Sequence, residues 1–204
     1  MADGATDPPD WCVSTIARLA IQPGAPADAV ERVQARLADA CPGQFLYPPA
    51  SLHVSLLGCT PRRTAPATFG AGQVARIRDA CAGVLGGARR VELGLRGIGV
   101  QGCQVFAQAI PDHDTWAHLR AELEDALMAA RERPIGYPDK RPIHLNLLRM
   151  TDAAPEALDR MLAAVERLRD EPLGALAVSR VELVVTDFVV SRRHTRTLET
   201  FALG

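Results

Sequence analysis

"SLHVSLLG" occupies residues 51–58, and "PIHLNLLRM" occupies residues 142–150. Each stretch is an apolar run with one histidine, His53 or His144, and each histidine is followed two positions later by a small polar residue. Because residues i and i+2 of a strand point to the same side, each stretch predicts a strand with two different faces. One face is apolar, and the other carries an imidazole beside a hydrogen-bonding side chain.

The two histidines occupy matching places in a repeated order of elements. A single histidine on a strand is more often a structural residue than a catalytic one. Here the order strand, helix, histidine strand, helix, strand occurs twice, over about residues 11–100 and 103–204, as a repeat of pattern and not of residue identity. The matched placement favours two halves of one active site, in which Ser55 and Asn146 lie beside the histidines.

The remaining periodicity predicts an α+β fold. Apolar residues that recur every three or four positions predict helices, and apolar residues that alternate predict strands. Mixed or antiparallel sheets with helices packed outside follow from this order. We expect residues 1–10, which are acidic and proline-rich, to form a flexible tail and residues 11–204 to form a single domain. Helices are predicted over 26–40, 74–84, 112–133 and 155–169, and strands over 11–21, 52–57, 89–100, 105–110, 143–148, 178–190 and 197–203.

The net charge and the aromatic content argue against binding to long nucleic acids. The net charge is −1, whereas proteins that bind a long duplex show a basic face, and only 4% of the residues are aromatic, whereas single-strand binders stack bases on aromatic rings. Local basic clusters are either solvated loops or contacts for a small phosphorylated ligand. They are Arg62 with Arg63, Lys140 with Arg141, and Arg192 with Arg193 and Arg196.

Cysteine usage and hydropathy indicate a cytoplasmic protein. The five cysteines are odd in number, include no C-x-x-C motif and lie mostly in apolar segments, which is typical of reduced, buried thiols. No apolar run approaches the 18 residues that indicate a membrane-spanning helix, and the N-terminal residues do not resemble a signal peptide. We expect a monomer without a membrane partner.

Paired histidines suit the cleavage of a phosphodiester. In-line attack on phosphorus needs a base on the nucleophile and an acid on the leaving oxygen, and imidazole serves both roles near neutral pH. A short hydrogen-bond donor beside each histidine can hold the non-bridging oxygens, where negative charge builds up.

In these residues the chain resembles the 2H phosphoesterases, which include bacterial RNA 2′,3′-cyclic phosphodiesterases, also called 2′-5′ RNA ligases. The family signature is a pair of His-x-Ser/Thr-hydrophobic motifs. "HVSL" at 53–56 matches the first motif, and "HLNLLR" at 144–149 resembles the second, with Arg149 where members often have a basic residue. Asn146 stands where the family has Ser or Thr, and an Asn amide can still donate a hydrogen bond to a phosphate oxygen. The resemblance covers about residues 11–203.

The resemblance implies a duplicated, two-lobed fold with the active-site cleft between the lobes. It also implies a metal-independent phosphodiesterase without a cofactor, which opens a 2′,3′-cyclic phosphate or cleaves a 2′-5′-linked or related small nucleotide or RNA-terminus phosphodiester. The two histidines would act as acid and base in either order. Further candidates are two phosphate contacts and two rings that could stack a base: Arg149 and His194, and Tyr47 and Tyr137.

The same residues are compatible with other functions. The site could bind a nucleotide or an RNA end without turnover, and Asn146 would then be a sign that the second motif has diverged from the family's. An enzyme that acts on a small phosphorylated metabolite is a further alternative. Two histidines could also ligate zinc or copper, although no third ligand occurs at a fixed spacing.

Overall fold

The computed structural model describes residues 10–135, 143–152 and 154–204. In this part of the chain, nine strands form one sheet in which the recorded pairings are all antiparallel, and four α-helices accompany it. The helices are α1 (Ala27–Ala40), α2 (Ala71–Leu85), α3 (Thr115–Ala129) and α4 (Pro155–Arg167). The strands are β1 (Cys12–Arg18), β2 (Phe45–Leu46), β3 (His53–Gly58), β4 (Val91–Gln101), β5 (Gln104–Pro111), β6 (His144–Arg149), β7 (Pro172–Val178), β8 (Arg180–Thr186) and β9 (Arg196–Ala202).

The two histidine strands are neighbours at the centre of the sheet. The strand order is β7-β4-β5-β6-β3-β1-β8-β9, and β2 pairs with β6. Between β3 and β6 the recorded register is a single pair, Val54 opposite Leu145. The other adjacent strands share longer registers, so β3 and β6 form a seam that joins two halves of the sheet.

One half of the sheet takes its strands from both ends of the chain, and the four long strands of the other half come from the middle. Outward from the seam, the strands β3, β1, β8 and β9 correspond to β6, β5, β4 and β7. Helices α2 and α3 pack together against the first half, and α1 and α4 pack together against the second. The fold therefore has two lobes related by an approximate two-fold axis through the seam, as an α+β duplication requires. The expected division into a tail and one domain stays a prediction, because residues 1–9 lie outside the described part.

The sequence prediction was wrong in two places in this sheet. Residues 178–190 do not form one strand, because β8 ends at Thr186 and a turn follows, in which the Asp187 side chain accepts hydrogen bonds from Ser191. The edge strand β7 was missed, because it begins at Pro172 and contains a glycine, features that weaken a strand signal but are tolerated at an edge. Of the mixed or antiparallel pairing that the sequence predicted, the described pairings are antiparallel, and the α+β fold is confirmed.

The core lies between the sheet and the helices. The helix-facing positions of the strands are aliphatic and almost fully buried, and they pack in one cluster with the apolar faces of α1 to α4. The opposite face carries the histidines and a small separate cluster formed by Ile16, Val184 and Val190. Within residues 10–135, 143–152 and 154–204, no helix has the length and apolar character needed to cross a bilayer.

Candidate active site

The seam brings the two motifs into register with each other. Val54 pairs with Leu145, and both side chains are buried on the helix side. When this antiparallel register is continued by one residue in each direction, His53 lies opposite Asn146 and His144 lies opposite Ser55. The two histidines thus share one face of two adjacent strands, in a crossed arrangement with two hydrogen-bonding side chains.

A bulge in each histidine strand shapes this face. On β6, Leu147 is an extra residue, because β5 steps from Val105 to Phe106 while β6 steps from Leu148 to Asn146. On β3, Leu56 is the extra residue in the pairing with β1. Such insertions change which side chains share a face beyond the bulge.

The β6 bulge brings Arg149 to the histidine face. Strict alternation would place Arg149, five positions after His144, on the opposite face. Instead, Arg149 pairs with Gln104 and His144 pairs with Gln108. These two β5 residues are an even number of positions apart, so their side chains lie on the same face. Directly opposite residues share a face, so His144 and Arg149 both belong to the cleft side.

Polar side chains from the helices hold both bulges. The Nε2 group of Gln34 on α1 donates to the carbonyl oxygens of Leu147 and Tyr47, each at 2.8 Å. On the other half, Nε of Arg120 on α3 donates to the carbonyl oxygen of Leu56 at 2.9 Å. The two bulges are therefore built alike, each with a helix side chain on the carbonyl of its inserted leucine.

The histidine face forms a cleft of about 350 Å³. It is lined from both halves of the sheet by polar side chains and by a few apolar ones. All four motif residues reach it, together with an arginine and an aromatic ring that the motifs do not include. These lining residues are His53, Ser55, His144, Asn146, Arg62 and Phe188.

His53 is held as a neutral imidazole with a defined tautomer. Its Nδ1 atom lies 2.7 Å from the carbonyl oxygen of Ser51, and because a carbonyl only accepts, Nδ1 carries the proton. Burial is the main cause that lowers the pKa of His53 from 6.5 to about 4. The Ser51 carbonyl opposes this shift, and the nearby charges of Arg18 and His144 add to it. At neutral pH, Nε2 therefore has a lone pair and can accept a proton.

The imidazole of His144 packs on an aromatic ring. The centroid of its ring lies 5.2 Å from that of Phe106, with the planes tilted by 50°. Phe106 in turn lies over Gly99, where a Cβ atom would come within 2.9 Å of the Phe106 ring. Gly99 thus makes room for the ring that supports His144.

Asn146 has one unsatisfied atom. Its side-chain oxygen Oδ1 is buried and has no hydrogen-bond partner among the described residues. A buried acceptor without a partner costs on the order of 1–3 kcal/mol. Since Asn146 lines the cleft, a ligand is a natural source of the missing partner, and the amide presents both a donor and an acceptor.

Cys12 also lines the cleft, but it is not activated as a nucleophile. Burial raises the pKa of its thiol from 9.0 to about 11, and Arg62 opposes this shift only in part. The thiol therefore stays protonated near neutral pH, whereas the thiolate is the reactive form. All five cysteines are free thiols, as the sequence predicted, although Cys103 is exposed and Cys12 only half-buried.

The other predicted site residues lie elsewhere. Tyr47 is only 1% exposed and packs edge-on against Phe45, so its ring offers no face to a base. Tyr137 lies outside the described residues. His194 lines a neighbouring groove of about 460 Å³, where its ring lies 5.4 Å from that of Trp11.

Asp187 is a site residue that sequence reasoning missed. It lines the cleft, is 3% exposed, and accepts hydrogen bonds from the Ser191 hydroxyl at 2.6 Å and from Nδ1 of His194 at 3.1 Å. His194 therefore contacts the cleft through Asp187 and does not line it. The sequence signal was an acidic residue at the end of the apolar strand β8. Among the described residues, no three His, Cys, Asp or Glu side chains cluster as a metal site would require.

Solved structures share this architecture along the whole chain. Escherichia coli LigT complexed with 3′-AMP is 17% identical, with a TM-score of 0.58 over 96% of this chain and 98% of that one. The chain has the fold of LigT. TT0787 of Thermus thermophilus is 19% identical with a TM-score of 0.61 over 94% and 97% of the chains, and a structure described as a phosphoesterase is 18% identical with a TM-score of 0.57 over 97% and 99%. No protein-family model and no curated protein matches the sequence. The LigT-like likeness confirms the fold that the paired motifs implied.

Proposed function

We propose that the protein is a metal-independent phosphodiesterase that uses His53 and His144 as acid and base. The observation that carries this proposal is the meeting of both motifs on one cleft face at the seam, next to each other and in crossed register. Two isolated structural histidines would have no reason to occupy equivalent places in the two lobes. The fold shared with a phosphoesterase and with LigT supports the same reaction class.

The environments of the histidines differ and suggest which one is the base. Proton abstraction needs an unprotonated nitrogen, and His53 provides one at Nε2, because Nδ1 donates to Ser51 and the pKa is lowered to about 4. His144 then acts as the acid that protonates the leaving oxygen. In the hydrolytic direction, His53 takes the proton of a water that attacks phosphorus. His144 gives its proton to the departing 3′ oxygen, so a 2′-phosphate remains.

Ser55 and Asn146 supply hydrogen bonds to the phosphate. The Ser55 hydroxyl and the Asn146 amide nitrogen are donors suited to the non-bridging oxygens, whose charge grows in the transition state. In-line displacement places the base and the acid on opposite sides of phosphorus. A phosphate centred over the seam, between the two histidines, meets this requirement.

We propose a small nucleotide or RNA-terminus phosphodiester as the substrate. The cleft volume of about 350 Å³ suits a small ligand. LigT structures are described as complexes with 3′-AMP, ATP, NADP⁺ and phosphate, so phosphorylated nucleotides occur with this fold. A 2′,3′-cyclic phosphate or a 2′-5′ linkage is the bond that we expect to be cleaved.

A screen of phosphodiesters tests the proposal. The purified protein should be assayed with 2′,3′-cyclic nucleotides, 2′-5′ dinucleotides and ADP-ribose cyclic phosphate, with His53→Ala and His144→Ala as controls. We expect turnover of at least one class, and loss of that turnover in both variants. Turnover that persists in both variants would show that another site or a contaminant is responsible.

The second candidate is a binding module without turnover, which the departure at Asn146 favours. It predicts that a cyclic nucleotide binds in calorimetry and is recovered unchanged after long incubation. Restoring the family residue with Asn146→Ser would then create activity where the natural chain has none. The two candidates differ in whether the natural chain already turns the ligand over.

A further inference from the structure

The residue opposite each motif histidine differs between the two lobes. Arg18 on β1 pairs with His53, and Gln108 on β5 pairs with His144. Since β1 and β5 are corresponding strands, Arg18 and Gln108 occupy the same place in the two lobes. Directly opposite residues share a face of the sheet, with Cβ atoms roughly 5 Å apart. One histidine therefore has a cation as its cross-strand neighbour, whereas the other has a neutral amide.

The same asymmetry extends to the next strand of each lobe. Ile16 pairs with Glu182 on β8, and its equivalent on β5, Phe106, pairs with Gly99 on β4. Glu182 forms an ion pair with Arg18, whereas Gly99 leaves room for the Phe106 ring. An acid thus accompanies the arginine in one lobe, and a glycine accompanies the neutral amide in the other. The ion pair is built into the His53 lobe alone at these equivalent positions.

Hydrogen bonds hold the Arg18 guanidinium close to the base of the His53 ring. Nε donates to Oε2 of Glu182 at 2.7 Å, and Nη1 donates to the carbonyl oxygen of Ala50 at 2.7 Å. The side chains of Arg18 and Glu182 are 13% and 10% exposed, so solvent screens them little. The next carbonyl along the chain, that of Ser51, is the one bonded to Nδ1 of His53. The guanidinium is therefore fixed one peptide away from the group that orients the imidazole.

Arg18 is the main charged group acting on His53. Apart from burial and the Ser51 carbonyl, the groups that act on this imidazole are Arg18 on β1, His144 on β6 and Asp187 after β8. Arg18 has the largest effect of the three and disfavours a proton on His53, as does His144, whereas Asp187 favours one. A guanidinium stays charged at every relevant pH. Arg18 is thus a fixed positive charge opposite the proposed base.

We propose that Arg18 sets which histidine is the base, because its permanent charge opposite His53 keeps that ring unprotonated. His144, opposite Gln108, has no cation at the equivalent place and serves as the proton donor. Arg18 does not line the cleft and acts through His53, so it is a positioning residue. This inference rests on the proposed function, since it concerns the same reaction.

Two variants that break the same ion pair with opposite changes of charge test this role. Arg18→Gln removes the cation and leaves Glu182, whereas Glu182→Gln removes the anion and leaves Arg18. In each, the new amide can still form a hydrogen bond to the remaining partner. If Arg18 only packs against its neighbours, loss of the ion pair should affect the protonation of His53 in the same direction in both variants. If its charge matters, only Arg18→Gln should favour the protonated ring.

The measured quantity is the protonated fraction of His53 at pH 5, by NMR of the imidazole without substrate, with His53→Gln to assign the signal. With a pKa of about 4, the natural chain should have about one-tenth of its rings protonated. Arg18→Gln should have about half, which corresponds to a shift of about one pH unit. Glu182→Gln should have one-tenth or less.

The double variant Arg18→Gln with Glu182→Gln covers the case in which Arg18→Gln does not fold. It removes both charges and leaves neither unpaired in the interior, so its fold should persist. Its protonated fraction should lie above that of the natural chain. An unchanged fraction in the double variant, or a rise in Glu182→Gln equal to that in Arg18→Gln, would refute the role of Arg18.

The pH profile of kcat/KM separates this inference from the proposed function. If His53 is the base, the acid limb should move up in Arg18→Gln by the same amount as the NMR titration. The expected NMR shifts without turnover of any phosphodiester would refute the enzyme and keep the control of His53 by Arg18. Turnover with the same protonated fraction in all the variants would refute that control and leave the phosphodiesterase standing.

Discussion

Val54 and Leu145 lie directly opposite each other at the seam between β3 and β6, and both side chains are fully buried. This pair fixes the geometry of the proposed active site, because each residue follows a motif histidine. A shift of the seam by one residue would turn one motif towards the helices. The buried pair thus links the packing of the two lobes to the alignment of the proposed acid and base.

The pH dependence of activity should reflect the buried imidazole of His53. If His53 is the base, it must be neutral, and its lowered pKa of about 4 keeps it neutral over the whole range above that value. The acid limb of the kcat/KM profile should therefore lie near pH 4, below the ordinary histidine value of 6.5. An acid limb near pH 6.5 that disappears in His53→Gln would contradict the burial of this base.

The stability of the fold should depend on pH through the same residue. The pKa of His53 is lower in the folded state, so between about pH 4 and pH 6.5 the unfolded chain binds a proton that the folded chain does not. Neutral His53 therefore contributes to the free energy of unfolding above pH 6.5, and this contribution is lost as the pH falls to about 4. Its size is on the order of 3 kcal/mol. Urea unfolding of the natural chain and of His53→Gln at several pH values measures this difference. A constant difference across the range would show that His53 is not buried as described.

Substitutions at Asn146 should separate a role in binding phosphate from a role in packing. We expect Asn146→Ala to lower kcat/KM by about 10–10³-fold, in the range of lost transition-state hydrogen bonds, with little change in Tm. Asn146→Asp has nearly the same shape but adds a negative charge beside the phosphate, so it should lose more. Asn146→Ser should keep partial activity. A normal kcat/KM with a lowered Tm for Asn146→Ala would remove this residue from the site.

Gln34 should affect activity although it lies on α1, because it holds the bulge that brings Arg149 to the cleft face. Gln34→Met keeps the length of the side chain but leaves the Tyr47 carbonyl and part of the Leu147 carbonyl unsatisfied, which costs about 1–3 kcal/mol in unfolding free energy. We also expect kcat/KM per folded molecule to fall at least several-fold. Gln22→Met is the control, because Gln22 is a buried amide that bonds to the backbone of β8. Equal kcat/KM in the two variants would mean that the bulge has no part in the reaction.

Chelation should leave the activity unchanged if the two imidazoles act without a metal. We expect the same kcat/KM before and after treatment with EDTA followed by gel filtration. Zinc added afterwards should not increase the rate. A loss on chelation that a single added metal restores would replace the acid–base pair with a metal site.

The sequence predicted the paired strands because both motifs show the same local pattern, one histidine and one polar residue on an otherwise apolar strand. It could not predict the bulges at Leu56 and Leu147, because a bulge depends on how many residues the neighbouring strand supplies. The position of Arg149 in the cleft follows from the second bulge and not from alternation. Asp187 was missed for a related reason, since only the turn after β8 shows which groups surround it.

Aromatic residues show the same limit of local pattern. Tyr47 follows a short strand and precedes two prolines, a context in which exposure and burial are equally compatible with the sequence. Its burial results from β2 pairing with β6, about a hundred positions later in the chain. Phe188, in contrast, is partly exposed, because the turn after β8 places its ring at the cleft.

The most direct test of the central claim is the activity of His53→Ala and of His144→Ala on the best substrate of the screen. If the two are base and acid of one reaction, each variant should lose about 10²–10⁴-fold in kcat, and the double variant should lose little more than the worse single one. Circular dichroism and thermal melting should show that each remains folded at the assay temperature. Full activity in either folded variant would contradict the paired-histidine site.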